Sequence, residues 1–229
     1  MRYRGVIFDV DGTLVDSNDA HAKAWVEGLA ERGHEVPFER VRPLIGMGGD
    51  KLLPAAAGIE ADSDEGQAIG ERRGEIFRAQ YLPRLEAFTG SRQLAQALKD
   101  RGFRLAVASS AQEEELGPLL RIAGVAELLE AKTSGDDVES SKPDPDILHA
   151  ALRRLRCAPA DALMIGDTPY DVEAARRAGI DCVAFRSGGW EEADLEGARA
   201  VYAGPWDLLR HLDASPLAQG EGDAPGPRA

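Results

Sequence analysis

Short, mostly apolar runs separated by longer amphipathic stretches set the pattern of this chain. Val6–Phe8, Leu105–Ala108, Leu128–Ala131, Leu163–Ile165, Cys182–Phe185 and Ala200–Tyr202 have strand length. Between them, Gln93–Arg101, Glu113–Ala123, Pro145–Arg156 and Tyr170–Ala178 have helical length, and Gly102, Gly124 and Gly179 close three of these. Strand–helix alternation of this kind predicts an α/β fold with a doubly wound, parallel, Rossmann-like sheet, whose ligand binds at the carboxyl ends of the strands.

One interval breaks the rhythm. From Asp16 to about Arg84 no strand-like run occurs, and Ala20–Arg32, Phe38–Ile45, Lys51–Ala57 and Glu65–Tyr81 read as helices. The pattern predicts a helical insertion, residues 16–85, in a core built from residues 1–15 and 86–215. An insertion after the first strand sits over the strand ends, the place for a lid. Residues 216–229 are rich in Pro, Gly, Asp and Glu and read as a disordered tail.

Composition narrows the function. No apolar stretch approaches the ~18 residues of a membrane span, and Met1-Arg2-Tyr3-Arg4 leads straight into a strand without a signal peptide. A cytoplasmic protein without membrane attachment is expected, as a monomer or weak homodimer. Cys157 and Cys182 lie in no metal-binding or redox spacing and read as reduced thiols. The net charge of −13 argues against a nucleic-acid partner. It also means that an anionic substrate must be held by a local cation.

Four polar clusters fall where predicted strands end. The first is Asp9-Val10-Asp11-Gly12-Thr13, two carboxylates and a tight turn at the mouth of a buried strand. Like charges collected there work against stability, but they suit a metal-assisted nucleophile with an acid/base beside it. The second, Ser109-Ser110, offers hydroxyls and free N–H groups at a strand-to-helix junction, as an anion seat or a simple helix cap. In the third, Ser141-Lys142-Pro143-Asp144-Pro145, Asp144 and Pro145 read as N-cap and N1, leaving Lys142 for a phosphate or carboxylate. In the fourth, Gly166-Asp167-Thr168-Pro169-Tyr170-Asp171, Thr168, Pro169 and Asp171 form a capping box, whereas Asp167 has no structural reason to be where it is. All-oxygen donors of this sort suit a hard octahedral cation such as Mg²⁺, bound with water and a substrate phosphate.

Asp9-x-Asp11-Gly12-Thr13, Ser109, Lys142 and Gly166-Asp167-x-x-x-Asp171 together resemble, in order and context, the four motifs of the haloacid dehalogenase superfamily, over about Tyr3 to His211. The insertion looks like the small α-helical cap of its phosphoglycolate phosphatase and β-phosphoglucomutase branch. The resemblance implies that Asp9 attacks phosphorus, Asp11 serves as acid and then base, and Ser109 and Lys142 hold the phosphoryl oxygens. It implies Mg²⁺ on the Asp9 and Asp167 carboxylates and the Asp11 main-chain carbonyl, supported by Asp171. Gly12, Thr13 and Ser110 belong to the phosphate seat. In these roles Asp9 must be ionised, helped by Mg²⁺ and Lys142, and Asp11 must start protonated, its pKa raised by crowding with Asp9 and Asp167.

In the insertion, His21-x-x-Ala24-Trp25 is similar to a pattern of the sugar-phosphate members, where the histidine approaches the acid/base aspartate; equally, Trp25 reads as cap core and His21 as a surface residue. Gly46–Gly49 looks like the family's specificity loop, with Arg42 or Lys51 available for a second anionic group. Trp190 and Trp206 read as packing residues. The leading function is a Mg²⁺-dependent phosphatase acting on a small phosphorylated metabolite through an aspartyl-phosphate. A sugar-phosphate mutase using the same intermediate and a non-catalytic binding protein on the same fold are the alternatives. Asp11 speaks against the dehalogenase and phosphonoacetaldehyde hydrolase branches, which lack an acid there.

Overall fold

The structure, a computed structural model, describes residues 3–218. Six strands, β1 (Gly5–Phe8), β2 (Arg104–Ala108), β3 (Ala131–Thr133), β4 (Ala162–Gly166), β5 (Asp181–Phe185) and β6 (Ala200–Tyr202), form one sheet in the order β3-β2-β1-β4-β5-β6. Every pairing is parallel. This is the doubly wound sheet that the alternation predicts. Helices α1 (Asn18–Glu31), α2 (Phe38–Val41), α3 (Gly49–Ala57) and α4 (Asp64–Ile76) follow β1. They are followed by α5 (Ser91–Asp100), α6 (Glu113–Ala123), α7 (Asp146–Leu155), α8 (Pro169–Ala178) and α9 (Pro205–Arg210). No helix among the described residues is long and apolar enough to cross a membrane.

The two-residue period of β1 divides the core. Val6 and Phe8 pack on one face with Leu105, Val107, Leu163 and Ile165, under α5 and α6. Ile7 faces the other way, with Ala106, Met164 and the apolar stripes of α7 and α8. A third cluster, around Trp25, Leu29, Val41, Leu52, Leu53 and Ile69, lies wholly within α1–α4 and their connections. The register matters most for function. Phe8 is level with Val107 and with Ile165, so Asp9, Ser109 and Asp167 leave the sheet along one rim.

Four expectations need correction. The third strand starts at Ala131, not Leu128, because buried Leu128 plugs the core and Glu130 N–H reaches Leu105 O (2.8 Å) before pairing begins. Pro43 turns Phe38–Ile45 into α2 and a 3₁₀ turn, Arg42–Leu44. Leu217, which composition places in the tail, is buried in the main core, and residues 219–229 of that tail lie outside the described residues. Trp206 is 42% exposed rather than packed; Trp190 does pack, edge-on to Tyr170.

Candidate active site

The turn after β1 folds tightly, with Leu14 and Val15 N–H both bonded to Val10 O at 2.8 and 3.0 Å. Gly12 has φ +78°, and a Cβ there would lie 2.2 Å from Asp167 Oδ2, so only glycine lets the turn press against that carboxylate. Gly188, beyond β5, closes in from the other side; its Cβ would come within 1.8 Å of the same oxygen.

Asp9, Asp167 and Asp171 are buried, with carboxylate oxygens all within 4.8 Å of one another. Buried Lys142 lies between Asp9, with which it forms an ion pair, and Asp171, 2.8 Å away. Asp171 caps its helix as foreseen and also pairs with Lys142. Its Oδ2 caps α8 through the Thr168 N–H (3.0 Å), while Oδ1 takes the lysine. Thr13 Oγ1 donates to Asp167 Oδ1 (2.7 Å), and Asn18 Nδ2 donates to Asp167 Oδ2 (2.9 Å). Burial, only partly offset by Lys142 and aided by Asp171 and Asp11, pushes the Asp9 pKa from 3.8 to about 7. Burial and the charges of Asp9 and Asp171 push Asp167 well above the carboxylate range.

Asp11 has a different environment. Burial works to raise its pKa, but His21, the Ser17 hydroxyl and the charge of Arg73 outweigh it and hold Asp11 below its ordinary value. Asp11 Oδ1 accepts from Ser17 Oγ (2.6 Å) and His21 Nε2 (2.8 Å). The expectation of a crowded, protonated Asp11 is therefore reversed in this state: Asp9 is raised and Asp11 is not. His21 is buried, not a surface residue, and stacks on Phe77 with ring centroids 3.9 Å apart. Arg73 reaches its Nδ1 (2.7 Å). Arginine can only donate, so Nδ1 accepts and the imidazole hydrogen sits on Nε2, aimed at Asp11.

A cavity of about 140 Å³ lies above these groups, lined by Asp9, Asp11, His21, Trp25, Arg73 and Ser110, with Gly46–Gly49 and Gln112 at its rim. The loop thus stands where the specificity loop is expected. Its two cations do not. Arg42 bonds Asp19 (2.6 Å) and Gly188 O (2.7 Å), and Lys51 pairs with Asp144 and donates to Ser141 O (2.5 Å). Asp144 is consequently an ion-pair partner rather than an N-cap; α7 starts at Asp146 with Pro145 before it. Ser110 faces the cavity and donates to Gly46 O (3.2 Å), whereas Ser109 Oγ accepts from Ala111 N–H (3.1 Å) and lies 3.5 Å from Asp11.

Arg73, Glu115, Asn18 and Gly188 carry no part of any sequence motif considered above. For Gly188 the Gly188-Gly189 pair after a strand is a signal in retrospect; the Arg73–Glu115 pair has none. The donor set suits a hard divalent cation. It is all carboxylate, it holds more negative charge than Lys142 can balance, and Asn18 Oδ1 beside it is a buried acceptor with no partner. The Asp9, Asp167 and Asp171 carboxylates are the groups brought close enough together to hold such an ion.

A family model described as haloacid dehalogenase-like hydrolase matches residues 3–179. A phosphoglycolate phosphatase of Nitrosospira multiformis is 33% identical over 189 residues, covering 80% of this chain and 83% of its own. An N-acetylmuramic acid 6-phosphate phosphatase of Pseudomonas putida is 28% identical over 219 residues, covering 94% and 98%. The crystal structure of a hydrolase from Pseudomonas syringae superimposes with TM-score 0.85 at 30% identity, covering 92% of this chain and 98% of that one.

Proposed function

This chain belongs to the haloacid dehalogenase-like hydrolases and is a phosphatase, and we propose that it hydrolyses small phosphorylated metabolites with Mg²⁺ through an aspartyl-phosphate on Asp9. One observation carries the reading. Asp9 belongs both to the buried carboxylate cluster and to the lining of the cavity, the position that a metal-assisted nucleophile needs.

In this scheme an Asp9 oxygen bonds to phosphorus as the ester P–O bond breaks, and the departing alkoxide takes a proton from Asp11. A water then attacks phosphorus, gives its proton to Asp11, and releases phosphate and free Asp9. Lys142 holds Asp9 in place and neutralises phosphoryl oxygen. When bound, Mg²⁺ supplies positive charge that keeps Asp9 ionised and balances the phosphoryl group. Asp11, ionised between Ser17 and His21 before substrate enters, gains proton affinity as a phosphate dianion arrives beside it and takes up one proton from solvent, the proton it then gives to the leaving alkoxide. His21, hydrogen on Nε2, keeps the Asp11 carboxylate turned toward the cavity.

The test is hydrolysis of p-nitrophenyl phosphate with Mg²⁺, with chelator, and by Asp9→Asn. Turnover requires Mg²⁺ and disappears in the variant; a variant keeping about a tenth of the parent rate refutes covalent catalysis at Asp9. The His21–Asp11 contact of 2.8 Å favours one second reading, a mutase. The same enzyme given β-glucose 1-phosphate with a trace of the 1,6-bisphosphate separates the two. Phosphate release supports the hydrolase; efficient formation of glucose 6-phosphate supports the mutase.

A further inference from the structure

Arg73 is the one Lys or Arg among the residues lining the inner cavity, the natural anchor for a negatively charged leaving group. It is already taken. Its Nη1 lies 2.7 and 2.9 Å from the two oxygens of Glu115, and its Nη2 donates to His21. Trp25 and Phe77 lie 5.3 and 5.4 Å from its guanidinium carbon, and Nε has no partner. Glu115 comes from the first turn of α6, its side chain is 0% exposed, and Arg78 lies 4.0 Å from it.

The way in offers no alternative anchor. The cavity widens outward into a space of about 400 Å³ lined by Asp50, Glu71, Asp136 and Glu139, with no Lys, Arg or His among its lining residues. Arg42 and Lys51 are held by Asp19 and Asp144. A phosphoryl group would meet Lys142 and the carboxylate cluster at the floor, but a second anion on the leaving group would meet Asp50, Glu71, Asp136 and Glu139 and neutral donors such as Ser110 and Gln112, with no lysine or arginine to balance it beyond the paired Arg73.

We propose that Glu115 is a specificity-determining residue: by pairing with Arg73 it neutralises the one lysine or arginine that lines the cavity among the described residues, so that the enzyme takes phosphomonoesters of uncharged alcohols, sugars or polyols, in preference to those whose leaving group carries a carboxylate or second phosphate. The inference rests on the phosphatase reading and refines it. It runs against a direct transfer of the substrate in the name of the Nitrosospira relative.

The experiment compares glycerol 1-phosphate with 2-phosphoglycolate, two small esters differing chiefly in leaving-group charge, with kcat and KM measured separately. The parent enzyme should favour glycerol phosphate by about tenfold or more in kcat/KM, and Glu115→Gln should narrow that ratio by about tenfold through a lower KM for phosphoglycolate. Glu115→Asp should keep the parental order. A purely structural loss would instead raise KM or depress kcat for both esters together, and that result overturns the proposal. So does a parent enzyme that prefers phosphoglycolate, a result that stands even if the variant does not fold. Turnover of p-nitrophenyl phosphate with the reversed order sinks this inference alone; no turnover of any of the three esters sinks the phosphatase reading as well.

Discussion

Removing divalent cations should make this protein less stable as pH rises through neutrality, the reverse of common acid denaturation. Asp9 has an ordinary pKa of 3.8 when unfolded and about 7 when folded. Between those values the folded chain holds a proton that the unfolded chain has released, so stability falls as pH rises. A shift of about three units corresponds to about 4 kcal/mol lost between pH 4 and pH 7, a large part of a typical domain's stability. Asp167, raised for the same reason, adds to the fall. Asp11 acts with the opposite sign, its stabilisation being lost as pH drops through its lowered pKa, below this window. Urea denaturation in chelator at pH 5, 6, 7 and 8 measures the effect. Mg²⁺ should restore stability, and more strongly at pH 8 than at pH 5, because it binds the ionised carboxylates. In Asp9→Asn the metal-free decline from pH 5 to pH 8 should shrink by about 3 kcal/mol, the part of the Asp9 contribution that falls within that range. A chelated parent protein whose stability stays level or rises from pH 5 to pH 8 would refute the account of the cluster.

Two further substitutions test the same site. Lys142→Met leaves the Asp9 and Asp171 carboxylates buried without their shared cation, and should cost about 3–5 kcal/mol in denaturant while Mg²⁺ restores part of the stability but not the rate; a cost below about 1 kcal/mol contradicts the pairing. Gly188→Ala puts a methyl group 1.8 Å from Asp167 Oδ2, and should raise the Mg²⁺ concentration for half-maximal rate by about 10–100-fold with the catalytic motifs untouched; an unchanged Mg²⁺ titration would show that Gly188 does not shape the cation site.

What was legible in the chain depended on whether local order carries it. Asp9 and Asp167 could be read because each ends an apolar run that can only be a buried strand, and parallel strands deliver their ends to one rim. Arg73 and Glu115 could not. Each sits beside residues of its own kind, in Arg72-Arg73 and Glu113-Glu114-Glu115, and 42 positions separate them. Only the approach of α4 to α6 distinguishes the buried member of each run from its solvated neighbours. Arg42 and Lys51 failed in the opposite way, with suitable chemistry in a suitable loop but acidic partners, Asp19 and Asp144, reaching them first. The direction of the Asp11 shift was missed because neighbours in sequence are acidic, whereas the decisive neighbours, His21 and Arg73, arrive from helices.

The contacts that place those helices over the rim differ in kind from one edge to the other. Near the linkers, Ala20, Ala24, Ile76 and Phe77 join the main apolar core with Val15, and Asp16 N–H pairs with Glu86 O at 3.0 Å. At the loop edge the contacts are polar: Gly48 N–H to Ser141 Oγ (2.9 Å), Ser110 to Gly46 O, Tyr170 hydroxyl to Pro43 O (2.8 Å), Lys51 to Asp144 and Arg42 to Gly188 O. Apolar burial is lost when such surfaces part in water, whereas hydrogen bonds and ion pairs that part in water exchange their partners for water. The loop edge is therefore the side on which separation costs least, and it is also the side on which the cavity opens. His21 and Arg73 ride on α1 and α4, while Asp11 and Glu115 stay with the sheet. The hydrogen bonds at Asp11 and the pairing of Arg73 thus both depend on how these helices sit against the strands.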